Sequence, residues 1–221
     1  MKVKKDKKNQ KKDFKKEIKE IVEVLEGIYD KKKMELWNIK EVKYIFRLFK
    51  KDFSKKKIKI NPLFLKEILR ELTIKYTNKE YNSFDFGIFL SAIINWTLIC
   101  SQEKKEIKIN LDLKKLPDLK GIGFRNQQRS FLVINGNVGD LFVSQMEGGK
   151  VILNGSTQDL AGKEMRNGKV EINGNVSSFD KTIFSSSNKG VVFWQEEKIF
   201  EKGKITKKGE ILKGKSLFKV E

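Results

Sequence analysis

The chain of 221 residues has no histidine and a single cysteine, Cys100. The first absence excludes Ser-His and Cys-His catalysis and every histidine metal site. The second excludes an intramolecular disulfide and any multi-cysteine zinc or iron-sulfur centre. No metal site and no cofactor is therefore expected. Cys100 ends an apolar run and reads as a buried, inert thiol. One unpaired cysteine fits a cytoplasmic compartment. Long apolar runs are missing as well. The most apolar stretch, Phe86–Cys100, spans 15 residues and is broken by Ser91, Asn95 and Thr97. A membrane span needs about 20 apolar residues, so this stretch reads as a central core helix. Met1–Lys12 has no apolar centre, which argues against a signal peptide.

Acidic residues are outnumbered. Lys and Arg total 48 against 29 Asp and Glu, giving a formal net charge of +19. Residues 1–105 hold 28 basic and 15 acidic residues, so the excess is concentrated there. A polybasic surface suits nucleic acid, anionic lipid or an acidic protein. Compositional drift is the bland alternative, because lysine, isoleucine and asparagine are abundant while there are only two prolines. The nucleic-acid candidates are Lys4 and Lys5 in the N-terminal run and Lys55, Lys56 and Lys57 further on. Trp37 and Tyr44 could stack bases beside lysine, but at helical spacing they read first as core.

The N-terminal half carries helical periodicity. Residues 1–12, with seven lysines and one aspartate, read as a disordered basic tail. Phe14, Ile18, Ile21, Val22, Leu25 and Ile28 share one face of a helix starting near Asp13. A second helix is predicted over Glu35–Phe53. Asn61 before Pro62 is an N-cap followed by proline at the first helical position of a third. Ser83 caps a fourth, Phe84 to about Ser101.

The C-terminal half repeats. Asn135-Gly136, Asn154-Gly155 and Asn173-Gly174 recur at a fixed step of 19 residues, as do Gly149 and Gly168, and Met146 and Met165. Leu132, Val151 and Val170 align, as do Ile134, Leu153 and Ile172. Phe131, Lys150, Lys169 and Val133, Ile152, Glu171 fill the alternate positions. Such alternation is a strand with one buried face. A unit this short cannot bury its apolar side alone, so the copies stack as coils of a β-solenoid. Asn135, Asn154 and Asn173 would then form an amide ladder, and Glu147 would lie over Arg166. The glycines answer the positive φ of sharp corners. Val138, Thr157 and Val176 form a further inward column. So do Leu141, Leu160 and Phe179, and Met146, Met165 and Phe184. Beyond residue 195, Ile199, Ile205, Ile211 and Leu217 stand six apart and predict short strands that cap the solenoid.

Gly136-Asn137-Val138-Gly139-Asp140 followed by Met146-Glu147-Gly148-Gly149 resembles the Gly-rich (GXGXG) repeat of the C-terminal domain of glutamate synthase, a repeat that also builds one of the chains of formylmethanofuran dehydrogenase. The resemblance covers about residues 106–195, most specifically 130–175. The second copy departs from it at Ser156-Thr157-Gln158 and Asn167. The resemblance implies a right-handed β-helix with a structural role and no catalytic residues.

The expected fold class is α+β in two domains: an all-α helical bundle (13–102), then a right-handed β-solenoid (106–195) with a short-strand β cap (196–221). The leading function is a non-catalytic structural or protein-interaction module, with a protein partner or a homo-oligomer. Its outward column, apolar at Phe131, Val133 and Ile152 and charged at Lys150, Lys169 and Glu171, would contact either the helical domain or a partner subunit. Nucleic-acid binding through the basic tail and helical domain is the alternative. A second alternative is glycan cleavage by Asp140 and Asp159, which the 19-residue step places one above the other.

Overall fold

The computed structural model describes residues 2–30, 39–77, 83–101, 105–116, 118–213 and 218–219. Four helices come first: α1 Lys2–Tyr29, α2 Ile39–Lys55, α3 Pro62–Thr77 and α4 Ser83–Cys100. Strands β1 Ile107–Asp112, β2 Ser130–Asn135, β3 Lys150–Asn154 and β4 Lys169–Ile172 follow. The chain then forms β5 Phe179–Asp180, a 3-10 turn at Lys181–Phe184, β6 Val191–Trp194 and β7 Glu197–Glu201. It closes with β8 Lys204–Ile205, α5 Lys207–Lys213 and β9 Phe218–Lys219. A helical region is thus followed by a β-solenoid of about four turns.

Parallel pairing puts β1, β2, β3, β4 and β6 side by side. In register, Leu132 lies against Val151, Val151 against Val170 and Val170 against Val192. All four are buried. Their alternate neighbours face outward, so the period-two pattern of the sequence is the pleat of this sheet. A second wall is a column of single bridges through Leu119, Val138, Thr157 and Val176. The third wall has an unusual backbone. Every second residue is left-handed in Gly121, Gly123, Arg125, then in Leu141, Val143, Gln145, then in Leu160, Gly162, Glu164. Val143, β-branched and at φ 50°, is held in a conformation that costs about 1–2 kcal/mol. The Val143 and Gly162 amides donate to Ile122 and Phe142 of the preceding coil.

The helices close the open end of this stack. Helix α4 lies across the first coil, where Ser91 Oγ accepts from Gly123 N at 3.1 Å and reaches Gly121 O at 3.1 Å. Asn95 Nδ2 donates to Phe124 O, and Arg129 Nη2 donates to Leu98 O at 2.6 Å. The polar residues that interrupt the apolar helix thus satisfy backbone groups of a coil that has no predecessor. Helix α3, capped by Asn61 Oδ1 accepting from Leu63 N, packs beside β1. Helix α2 lies along the third wall, its Phe46 ring 5.2 Å from Phe124 and Lys43 Nζ 3.0 Å from Glu164. Tyr29, Tyr76, Phe86, Phe89 and Phe49 join the four helices by ring contacts. One buried apolar cluster runs through helices and solenoid together. At the far end β7 and β8 turn back antiparallel on β6, and β9 pairs with β5.

Several expectations are corrected. Helix α1 begins at Lys2, so the run read as a tail is helical, which suits the good helix propensity of lysine. Ile211 belongs to helix α5, because its spacing from Ile199 and Ile205 fits a helix entered after β8 as well as a strand. Cys100 is exposed, since α4 ends there and its last turn leaves the core. Glu147 pairs with Arg125 at 3.2 Å and accepts from Gln127, both one coil back, instead of stacking on Arg166. Phe179 aligns with Ala161 in place of Leu160, and Ile183 takes the buried place expected for Phe184. Trp37 and Leu217 lie outside the described residues. Among the described residues no helix is long and apolar enough to cross a membrane.

Candidate functional site

The outward face of the parallel sheet offers three columns. The first runs Lys108, Phe131, Lys150, Lys169; the second Asn110, Val133, Ile152, Glu171, Phe193; the third Asp112, Asn135, Asn154. Phe131, Val133, Ile152 and Phe193 are half-buried. Lys108 and Lys150 flank Phe131 from the strands on either side, their ammonium groups 5.1 and 5.0 Å from its ring centre. Lys169 lies 4.7 Å from the Phe193 ring. Glu171 takes both Lys169, at 2.6 Å, and Lys150, at 3.4 Å. Partial burial alone raises the Glu171 carboxyl, but the hydrogen bonds and charges of these two lysines outweigh it and hold the group below its ordinary value. The lysines are therefore held on rings and on a carboxylate, and the face is an ordered basic and apolar plane.

Asp140 and Asp159 do come into register. Asp140 Oδ1 accepts from Asp159 N at 3.1 Å, and its Oδ2 pairs with Lys120 Nζ at 2.8 Å. Asp159 Oδ1 in turn accepts from Ser178 Oγ at 3.0 Å, and Ser178 Oγ accepts from Leu160 N. Each carboxylate thus ties one coil to its neighbour.

The corner residues act through contact as much as through φ. Gly136 has φ 125°, but a Cβ at Gly155 would stand 2.2 Å from Gly136 O, and one at Gly174 2.3 Å from Gly155 O. Only hydrogen fits between successive coils there. Gly149 has φ 76° and a Cβ there would stand 2.3 Å from Gln127 O, while at Gly168, φ 104°, it would meet Met146 Cε at 2.4 Å and Gly149 O at 2.9 Å. The expected amide ladder is present: Asn154 Nδ2 donates to Asn135 Oδ1 at 2.9 Å and Asn173 Nδ2 to Asn154 Oδ1 at 2.8 Å.

The basic candidates are dispersed. Lys4 and Lys5 lie in helix α1, and their side chains fall outside the described residues. Lys55 ends α2, and Lys56 and Lys57 form the exposed turn after it. The structure adds Arg47 and Lys51, exposed on the same side of α2 as Lys55, and Tyr44, which is 55% exposed. By sequence Tyr44 reads as core because it abuts the apolar stripe of Ile45 and Phe46. The helical wheel through Arg47, Lys51 and Lys55 was the available signal. Lys50 lies at the edge of this side. Burial lowers its pKa, and the Arg125 guanidinium adds to that against Glu147 and Cys100. Partial desolvation raises the Cys100 thiol, against the pull of Lys59 and Lys50.

A cleft of about 830 Å³ separates α1 from α3 and is lined by Ile18, Val22, Leu63, Arg70 and Lys75 among others. A second, about 330 Å³, lies where α4 meets the solenoid, between Leu98, Gln127, Arg129 and Glu147. Among the described residues no three His, Cys, Asp or Glu side chains gather as metal ligands. In comparisons with protein-family models, curated proteins and solved structures, nothing matches this chain.

Proposed function

We propose that this chain is a non-catalytic interaction module of the cytoplasm, in which the solenoid holds a flat sheet face for a protein partner. The observation that carries this reading is the open face itself. The helices occupy the first coil, the β1 side and the third wall, and the strands after β6 occupy the far end. The plane of Phe131, Val133, Ile152 and Phe193 stays half-exposed between its lysines. Stacked coils bonded along three walls give a rigid plane, which lowers the ordering cost of binding. Both candidate carboxylates are engaged in coil-to-coil bonds, which favours a structural role over glycan cleavage. The resemblance of residues 130–175 to the Gly-rich repeat of the glutamate synthase C-terminal domain supports the same reading.

The test is affinity capture at physiological salt with the native chain and with the double variant Val133→Glu, Ile152→Glu, followed by mass measurement of any complex. Retention of a protein, or of a second copy, by the native chain and its loss in the variant supports the reading. A native chain that stays monomeric and retains the same proteins as the variant refutes it. The enzymatic alternative makes the opposite prediction. Asp140→Asn would abolish turnover of some glycan that the native chain cleaves.

A further inference from the structure

The solvent side of α2 carries a row of cations that the sheet-face reading does not use. Residues 39–59 hold nine Lys and Arg against two Asp and Glu. Arg47, Lys51 and Lys55 stand at successive four-residue steps, which places them on one face about 6 Å apart along the helix axis. All three are exposed. The ion pairs of the described residues engage none of them, whereas Lys43 beside them is paired with Glu164. The row continues past the helix end through the exposed Lys56, Lys57 and Lys59. Six cations thus line one edge of the molecule, with Asp52 the one acidic residue between Arg47 and Lys59.

We infer that this row binds the phosphodiester backbone of nucleic acid, without reading its sequence. The argument for this occupant is charge and shape. A phosphodiester strand presents one negative charge at every nucleotide, and a row of evenly spaced cations neutralises successive phosphates and releases their counterions. An anionic membrane is disfavoured by the same helix. A helix that lies in a bilayer interface directs its apolar face into the lipid. Here that face, with Ile45, Phe46, Phe49 and Phe53, is buried in the protein core, and the exposed residues from Tyr44 to Lys55 are Tyr44, Arg47, Lys51, Ser54 and Lys55. Tyr44, one turn before Arg47 and 55% exposed, offers a ring on which a base can stack. The inference stands apart from the sheet-face reading, because it concerns another surface and another class of partner.

The experiment is fluorescence anisotropy with the full chain and a labelled 30-nucleotide DNA, single-stranded and duplex, titrated from 50 to 200 mM salt. Each phosphate contact contributes about 0.9 to the slope of log affinity against log salt on a duplex. The variant Arg47→Gln, Lys51→Gln, Lys55→Gln is expected to flatten that slope by about 2.7 and to weaken binding at least about tenfold at 50 mM salt. These side chains are exposed, so circular dichroism of the variant should match the native chain. No binding by the native chain at 50 mM salt overturns the inference. So does native-like affinity of the triple variant, which would place the contacts elsewhere. Equal or tighter binding to phosphatidylserine vesicles or to polyglutamate also overturns it, by assigning the row to lipid or to acidic protein.

Discussion

Gly87 of helix α4 stands so close to the first coil that a Cβ there would meet Lys120 O at 1.9 Å. The neighbouring atoms are backbone, held by the coil's own bonds, such as Gly121 N to Asp140 O. The helix that caps the solenoid can approach it only because this residue has no side chain. Gly87→Ala gains the helix propensity of alanine, about 1 kcal/mol, yet must push α4 off the coil. We expect a net loss of about 3 kcal/mol or more, the range of overpacked and disrupted cores. Urea denaturation checks this, and unchanged or raised stability would show that α4 does not seat as described.

Ser91 should be the second sensitive point of the same seam. Its hydroxyl reaches Gly121 O and accepts from Gly123 N, and it is buried. Ser91→Ala leaves a buried amide and carbonyl without this partner, which costs about 1–3 kcal/mol. Ser91→Cys, of similar size but a weaker donor and acceptor, should restore little of it. Thermal unfolding of the three proteins gives the comparison, and equal midpoints for serine and alanine would refute the capping role.

Glu164 links the third wall to helix α2. Burial alone raises its pKa, but the hydrogen bonds from Lys43 and Gln145 and the charges of Lys43 and Lys163 outweigh it and leave it depressed. A carboxyl depressed in the folded state stabilises above its unfolded pKa, about 4.3, and loses that contribution as pH falls through the folded value. The pair is one-third exposed, so screening limits it to about 1 kcal/mol at most. Glu164→Gln should therefore be less stable than native at pH 7, with the difference shrinking as pH falls through the folded value. A difference that persists at low pH would assign the effect to packing.

How much of this was legible follows from which residues carried a signal. The strands were, because Leu132, Val151 and Val170 repeat their step and the register follows it. The third wall was not. Its alternating left-handed positions are glycines at Gly121 and Gly123 but Leu141 and Val143 one coil later, so the glycine pattern breaks although the backbone does not. The first coil was obscured by its longer return, since Ile107 pairs with Ser130 whereas Phe131 pairs with Lys150. The Lys108 contact to Phe131 therefore could not be read from a fixed step. Ser91 and Asn95 were visible only as interruptions of an apolar helix. Their partners lie 30 and 29 residues away on backbone atoms, and backbone acceptors leave no trace in composition. The seating of α2 on the solenoid, and with it the outward row of Arg47, Lys51 and Lys55, was hidden for the same reason.

The asparagine ladder makes the most directional prediction. Each amide donates toward the N-terminal coil: Asn173 to Asn154, and Asn154 to Asn135. Replacing a donor by a carboxylate is therefore unequal to replacing the terminal acceptor. Asn135→Asp keeps an oxygen for Asn154 Nδ2 and should change stability by less than about 0.5 kcal/mol. Asn173→Asp turns a carboxylate toward Asn154 Oδ1 and loses one hydrogen bond, costing about 0.5–1.5 kcal/mol. Asn154→Asp loses the same donor but still accepts from Asn173, so it should fall between the other two. Urea midpoints at pH 7 order the three variants. At pH 3, where the new carboxyls are protonated and can donate again, Asn154→Asp and Asn173→Asp should recover toward Asn135→Asp. If Asn135→Asp proves the most damaging, the amides run the other way.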